Sequence, residues 1–266
     1  MYKSTTWKLS LTVGAFILAL CLVPRIVFAQ SAVSEDTLQL YRDQISAYRD
    51  SERTFEVAKE QYFKLQTLAS LEQAVSGTRN ALLARTKVLT TYLTILRTEL
   101  YAQHGINLTL KDDALERLDT QLAYLKTHED AVLIANDRAA IATVVTDFSL
   151  KQLFIEDAVY RSRLLIEVGK VQTVNDKART LLADIKKAHE AEKATSLVTA
   201  KRERAYTETS THIEATEAAL LELLSQKYTV EKEFLKGQYT QQSKSINEPY
   251  VSAQKAIGFL EELLSL

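Results

Sequence analysis

The chain has 266 residues, with 33 Lys and Arg against 34 Asp and Glu, 6 Gly, 2 Pro and 1 Cys. A charge balance without basic excess argues against a nucleic-acid partner, which would need a positively charged face. A single cysteine forms no intrachain disulfide, and so few glycines leave little material for a phosphate-cradling loop.

The first elements in chain order belong to a leader. Lys3 and Lys8 form a positive stretch, Leu9 to Val23 is an apolar run, and Pro24 and Arg25 end it. Val27 and Ala29 then stand at the −3 and −1 positions of a cut before Gln30. This layout predicts a secretory signal peptide over residues 1–29, cleaved after Ala29, followed by one domain over residues 30–266. The apolar run reaches roughly 22 Å as a helix, short of the roughly 30 Å of a bilayer core. An uncleaved membrane anchor is therefore the second reading, and export to the periplasm, cell envelope or extracellular space the first. Leu20 before Cys21 argues against lipidation. Beyond the leader, 30 basic side chains face 34 acidic ones, and no Cys, Met or Trp is left. Thiolate metal sites are thereby excluded from the domain, which must hold together by packing.

The domain reads as all-α. Apolar residues recur at 3-4 spacing, with charge on the opposite faces. The first stripe runs through Leu38, Tyr41, Ile45, Tyr48, Glu52, Phe55, Ala58, Tyr62 and Leu65. A second follows Leu71, Val75, Thr78, Leu82, Arg85, Leu89, Tyr92 and Leu96. The third is Leu115, Leu118, Leu122, Leu125, Glu129 and Val132. A fourth contains Leu153, Tyr160, Leu164, Val168, Val171, Ala178, Leu182 and Ile185, and a fifth Tyr206, Ile213, Leu220, Leu224, Val230 and Phe234. Breaks are expected at a capping box over Ser70–Gln73, at His104-Gly105 followed by a start at Thr109, at Asp147 or Ser149, at Thr195-Ser196, and at Asn247 before Pro249. The expected fold is an elongated antiparallel bundle or coiled coil of about five long helices plus a short C-terminal one.

Chemistry-bearing patterns are thin. Glu208 and His212 stand four apart, but no Glu-x-x-His pair recurs as a di-metal bundle requires. His104, His128 and His189 are expected to be solvated or paired. No Gly-x-Ser-x-Gly elbow is present. No catalytic residue, cofactor site or metal site is therefore assigned, and the protein is expected not to be an enzyme.

Two features stand out. Tyr41, Tyr48, Phe55 and Tyr62 recur every seven residues as an aromatic column, for packing or as a contact strip. Charges also occupy seam positions: Glu52 on the first helix, Arg85 on the second and Glu129 on the third. A first turn near residues 68–69 and a second near 107 would bring Glu52, Arg85 and Glu129 to one height. They would form a buried polar cluster that sets helix register or holds a cation. The chain is expected to be an exported structural or protein-interaction bundle that contacts a protein partner or itself through helical faces. In that reading it meets the membrane only through an uncleaved leader. The alternative is a ligand-binding bundle, a sensor or solute-capturing domain, built on the Glu/Arg cluster.

Overall fold

Where each helix begins follows from which side chain can satisfy its free amides. In the computed structural model, which describes residues 32–190, 196–226, 230–231 and 235–266, helix α1 (Glu35–Leu65) is opened by Ser34, whose hydroxyl accepts from the Thr37 amide. Glu35 and Asp36 sit in its first turn, where the helix dipole favours negative charge. The expected leader, Thr195 and Phe234 lie outside the described residues.

The first turn is tighter than the sequence predicts. Helix α1 closes on Gln66 in the left-handed region (φ 50°), and Thr67 already caps α2 (Leu68–Ala102). The capping box is Thr67 with Ser70, not Ser70 with Gln73: the Ser70 hydroxyl accepts from the Thr67 amide at 3.1 Å, and Thr67 Oγ1 from the Ser70 amide at 3.2 Å. Gln66 carries the only positive φ among the described non-glycine residues. Gln66→Gly is therefore expected to stabilise the protein by about 0.5–1 kcal/mol, measured by urea denaturation. An unchanged or lower midpoint would show that the side chain earns its place there.

The second turn contains the expected break at His104-Gly105, with different caps. Helix α2 ends at Ala102 with Gln103 as C-cap, and α3 (Leu108–Ile134) is capped by Asn107, whose side chain accepts from the Thr109 and Leu110 amides. Gly105 does not supply a left-handed φ. It lets the connection press onto the long fourth helix, since a Cβ there would lie 2.6 Å from the Gly169 carbonyl oxygen and 2.9 Å from the Thr173 amide nitrogen. Both neighbours are backbone and cannot swing aside. Gly105→Ala is expected to destabilise by about 2 kcal/mol, read from thermal or urea unfolding; a loss under about 0.5 kcal/mol would contradict this close approach.

Helix α4 (Arg138–Glu190, 53 residues) starts well before the expected break at Asp147 or Ser149. Asp137 caps it, accepting from the Ala140 amide at 2.8 Å, so Asp147 and Ser149 fall inside the helix. Asn136-Asp137 was the available cap signal. At roughly 80 Å, α4 runs the length of two side-by-side packings. Its N-terminal part joins α2 and α3, with α1 laid on α2. Its C-terminal part joins α5 (Ser196–Ser225) and α7 (Asn247–Ser265), with the short α6 (Leu235–Ser245) against α4 and α7. Pro249 occupies the first turn of α7, where its missing N–H costs nothing.

The core reflects this division. Leu82, Val132, Ala135, Ile141 and Val144 join α2, α3 and α4. Leu164, Val168 and Val171 meet Leu220, Leu223 and Ala253, and further along Ala178 and Ile185 meet Ala205, Ile213, Ala256 and Leu260. The fold is thus an all-α antiparallel helical bundle. Among the described residues there is no strand, and no helix is long and apolar enough to cross a membrane.

Candidate functional site

The shorter first turn resets the register on which the seam charges depend. Tyr41 stacks on Tyr92 with ring centroids 5.6 Å apart, and a Cβ on Gly77 would lie 3.3 Å from the Phe55 Cα. Helix α1 is therefore displaced along α2 by about one turn from the expected pairing. Tyr48, rather than Glu52, comes level with Arg85.

Helix α3 differs in face rather than height. Its buried residues are Ala114, Leu118, Gln121, Leu125, His128 and Val132. Leu118, Leu125 and Val132 are shared with the expected stripe, but the intervening positions are each one residue earlier. Both choices keep 3-4 spacing, and one residue turns a side chain by about 100°. His128, 2% exposed, takes the inward place, while Glu129 is half-buried.

Arg85 occupies the middle of this arrangement and is only 7% exposed. Its guanidinium carbon lies 3.7 Å from the centroid of the Phe148 ring, on α4. The His128 ring packs on the same Phe148 at 5.1 Å and on Tyr124 at 5.8 Å. Two carboxylates border the group, each held by a tyrosine. Tyr48 donates to Glu52 Oε1 at 3.3 Å, and Tyr124 donates to Asp147 Oδ2 at 2.9 Å. Neither carboxylate forms an ion pair with Arg85; Nε and Nη2 of Arg85 and Nε2 of His128 are buried without a hydrogen-bond partner. Of the three seam charges, the structure brings Glu52 into the electrostatic surroundings of Arg85, and it does not bring Glu129 there.

Burial shapes the protonation of this group. It lowers the Arg85 guanidinium to about 10, so the cation persists at neutral pH. It raises the Tyr48 hydroxyl to about 12, helped by the Glu52 charge. It lowers His128 to about 4, with the Arg85 cation adding to the effect and Asp147 opposing it. His128 is therefore a neutral core residue at pH 7, neither solvated nor paired through Nε2 as expected. The sequence did hold a signal, since Tyr124 and His128 are an i,i+4 pair of rings.

The aromatic column faces inward. Tyr48 is buried, and Tyr41, Phe55 and Tyr62 are half-buried. At its upper end the Tyr41–Tyr92 stack approaches a second cluster. Tyr160 stacks on Tyr239 of α6 at 4.5 Å, and the Arg163 guanidinium lies 5.6 Å from the Tyr239 ring centroid. Burial pushes the Tyr92 and Tyr160 hydroxyls up to about 12.

The remaining histidines are engaged separately. His189 Nδ1 lies 2.8 Å from the Tyr206 hydroxyl, and His212 Nδ1 lies 3.2 Å from Ser252 Oγ while its ring stacks on Phe259. His104 borders an open groove of about 380 Å³ with Asp176, Lys177 and Asp184. Among the described residues no three His, Cys, Asp or Glu converge as metal ligands.

Fold and site together define a class: an antiparallel helical bundle with a cationic, aromatic-lined interior at one end. No family model, curated protein or solved structure matches the chain.

Proposed function

We propose that the chain is an exported, non-enzymatic interaction protein of the cell envelope or extracellular space that makes contact through the tip of the α1–α2 hairpin. The observation that carries this reading is the exposure of Phe63, Leu65 and Leu68, at 51%, 63% and 71%, around one tight turn. Turns ordinarily take small polar residues, and three large apolar side chains gathered at one are typical of a surface that meets a partner. The aromatic column supports the tip rather than forming the contact, since its side chains pack toward α2. The C-terminal α7 buries Leu260 and Leu263 against α5 and α4 and leaves Val251, Ile257 and Leu264 exposed on its other side.

Export rests on the leader, with Lys3 and Lys8 before the apolar run and Ala29 before the expected cut. The weak acidic balance beyond it supports a protein partner or a second copy rather than a nucleic acid. The test has two arms. N-terminal sequencing of the protein from the envelope and secreted fractions should find Gln30 as the first residue; recovery in the cytosol with Met1 intact overturns export. A photo-crosslinking residue at Leu68, installed in the producing cell, should yield one discrete adduct that Phe63→Ser with Leu65→Ser diminishes at least tenfold. The same probe at Glu60, exposed on α1, should yield less. Equal adduct from both positions, or none from Leu68, overturns the tip as the contact.

A further inference from the structure

We propose that the partner met by the α1–α2 hairpin is a second copy of this chain, bound antiparallel. Each hairpin lies along the other, and each tip meets the α3–α4 turn of the other copy. The inference rests on the tip as the contact and names what it contacts.

The hairpin stands clear of the helices beside it. Helix α3 ends at Ile134 and α4 begins at Arg138. This connection lies level with Arg79, whose Nη1 donates to Asn136 Oδ1 at 2.8 Å. Leu82, just below on α2, is already packed with Val132 and Ala135. Residues 68–78 of α2, with the end of α1 beside them, therefore extend roughly 15 Å past that turn. Small buried residues hold the two helices of the extension together, Ala58 on α1 against Ala74 and Gly77 on α2.

The apolar stripe of α2 does not stop where α3 and α4 stop. It is buried at Leu82, Leu89 and Leu96 and runs on through Thr78, Val75, Leu71 and Leu68. Val75 still borders the core of Leu82, Val132 and Val144, Leu71 is half-buried, and Leu68 is 71% exposed. Their 3-4-3 spacing reads the same in both directions. An antiparallel copy therefore presents the same stripe in register, Leu71 against the partner's Val75 and Leu68 against the partner's Thr78. Beyond Thr78 lies the α3–α4 turn, where Leu133 and Ile134 are 54% and 77% exposed on the last turn of α3. The incoming tip covers both.

Burial and symmetry favour this occupant. A lone pair of helices buries one seam, whereas two pairs side by side bury a shared core, as in a four-helix bundle. Phe63, Leu65, Leu68, Leu133 and Ile134 each offer about 100 Å² of apolar surface, so two copies together bury roughly 1,000 Å², the lower bound for a specific contact. Leu71 and Val75 add to it. Because each patch is used twice about one two-fold axis, the contact closes as a dimer.

Sedimentation equilibrium of the protein as purified from the producing cell should find a reversible dimer with Kd on the order of micromolar. Leu68→Ser with Ile134→Ser should raise Kd at least tenfold. Both side chains are exposed, so the variant should keep its helical circular dichroism. Leu221→Ser, at a comparably exposed leucine on α5, should leave Kd unchanged. A photo-crosslinking residue at Leu68, in an equal mixture of isotope-labelled and unlabelled protein, should join residue 68 to the peptide holding Leu133 and Ile134 in adducts of mixed label. A dimer that the double variant does not weaken, or a mixed-label adduct mapped elsewhere, overturns the antiparallel pairing. A protein that stays monomeric at about 100 μM, and whose Leu68 probe labels a different protein in the cell, overturns the second copy and leaves the tip as a contact. A monomer whose probe labels lipid, or nothing, overturns both.

Discussion

Lowering the pH from 6.5 to 4 is expected to remove about 3 kcal/mol of folding stability through His128 alone. In the unfolded chain this imidazole takes up a proton near its ordinary 6.5, whereas burial and the Arg85 cation hold it down to about 4 in the bundle. Between those values the unfolded state binds more protons than the folded one, so stability rises with pH. The contribution is complete above 6.5 and is lost as the pH falls to 4. The groups that face the ring are Arg85 from α2, Tyr124 from its own helix, and Asp147 and Phe148 from α4, and only Asp147 favours the charged form. Urea denaturation at half-unit pH intervals would measure the slope. His128→Phe keeps a ring between Tyr124 and Phe148 and should flatten the difference between pH 6.5 and 4, whatever its effect at pH 8. Parallel curves for the two proteins would refute the account.

Asp157→Ala is expected to cost about 3 kcal/mol, the largest loss from any single charge in the described residues. The Asp157 side chain is 4% exposed, lies 2.6 Å from Arg161 Nε on its own helix and 3.4 Å from Arg117 Nη1 on α3. Removing it breaks the one buried charge link between α3 and α4 and leaves Arg161, itself three-quarters buried, without that partner. Arg117 retains Asp113 and keeps water access, which holds the loss to the lower end of the range for buried pairs. The contrast is Asp119→Ala, which breaks the exposed Arg97 pair and should cost under about 1 kcal/mol. Chemical denaturation of both variants at pH 7 compares the two directly; similar losses would mean that burial does not set the worth of these pairs.

Arg85 illustrates how far periodicity reaches. The unbroken 4-3 alternation from Leu71 to Leu96 places it on the seam, and the structure buries it there. Its neighbours were harder to read. On α1 the partner depends on where the hairpin turns, and the left-handed Gln66 shortens that turn and slides the helix by about one turn. On α3 the partner depends on which of two adjacent stripes faces inward. Leu122 and Glu129 compete with Gln121 and His128, and hydropathy favoured the pair that the structure leaves at the edge. The start of α4 at Asp137 lies ahead of the expected Asp147 or Ser149, because an apolar stripe can begin well inside a helix.

By itself, then, the sequence determined the helical class, the absence of thiol chemistry beyond Cys21, and the inward place of the Arg85 cation. These follow from residue type and 3.6-residue periodicity, which are local properties of the chain. The tertiary structure alone decided which groups surround that cation. Register and facing are set by the two-residue turn between α1 and α2 and by the close approaches at Gly77 and Gly105, where a shift of one residue rotates a side chain by about 100° and a shift of four leaves the pattern intact. For that reason the expected Glu–Arg–Glu cluster became an arginine edged by aromatic rings, with two of its donors lacking an acceptor among the described residues.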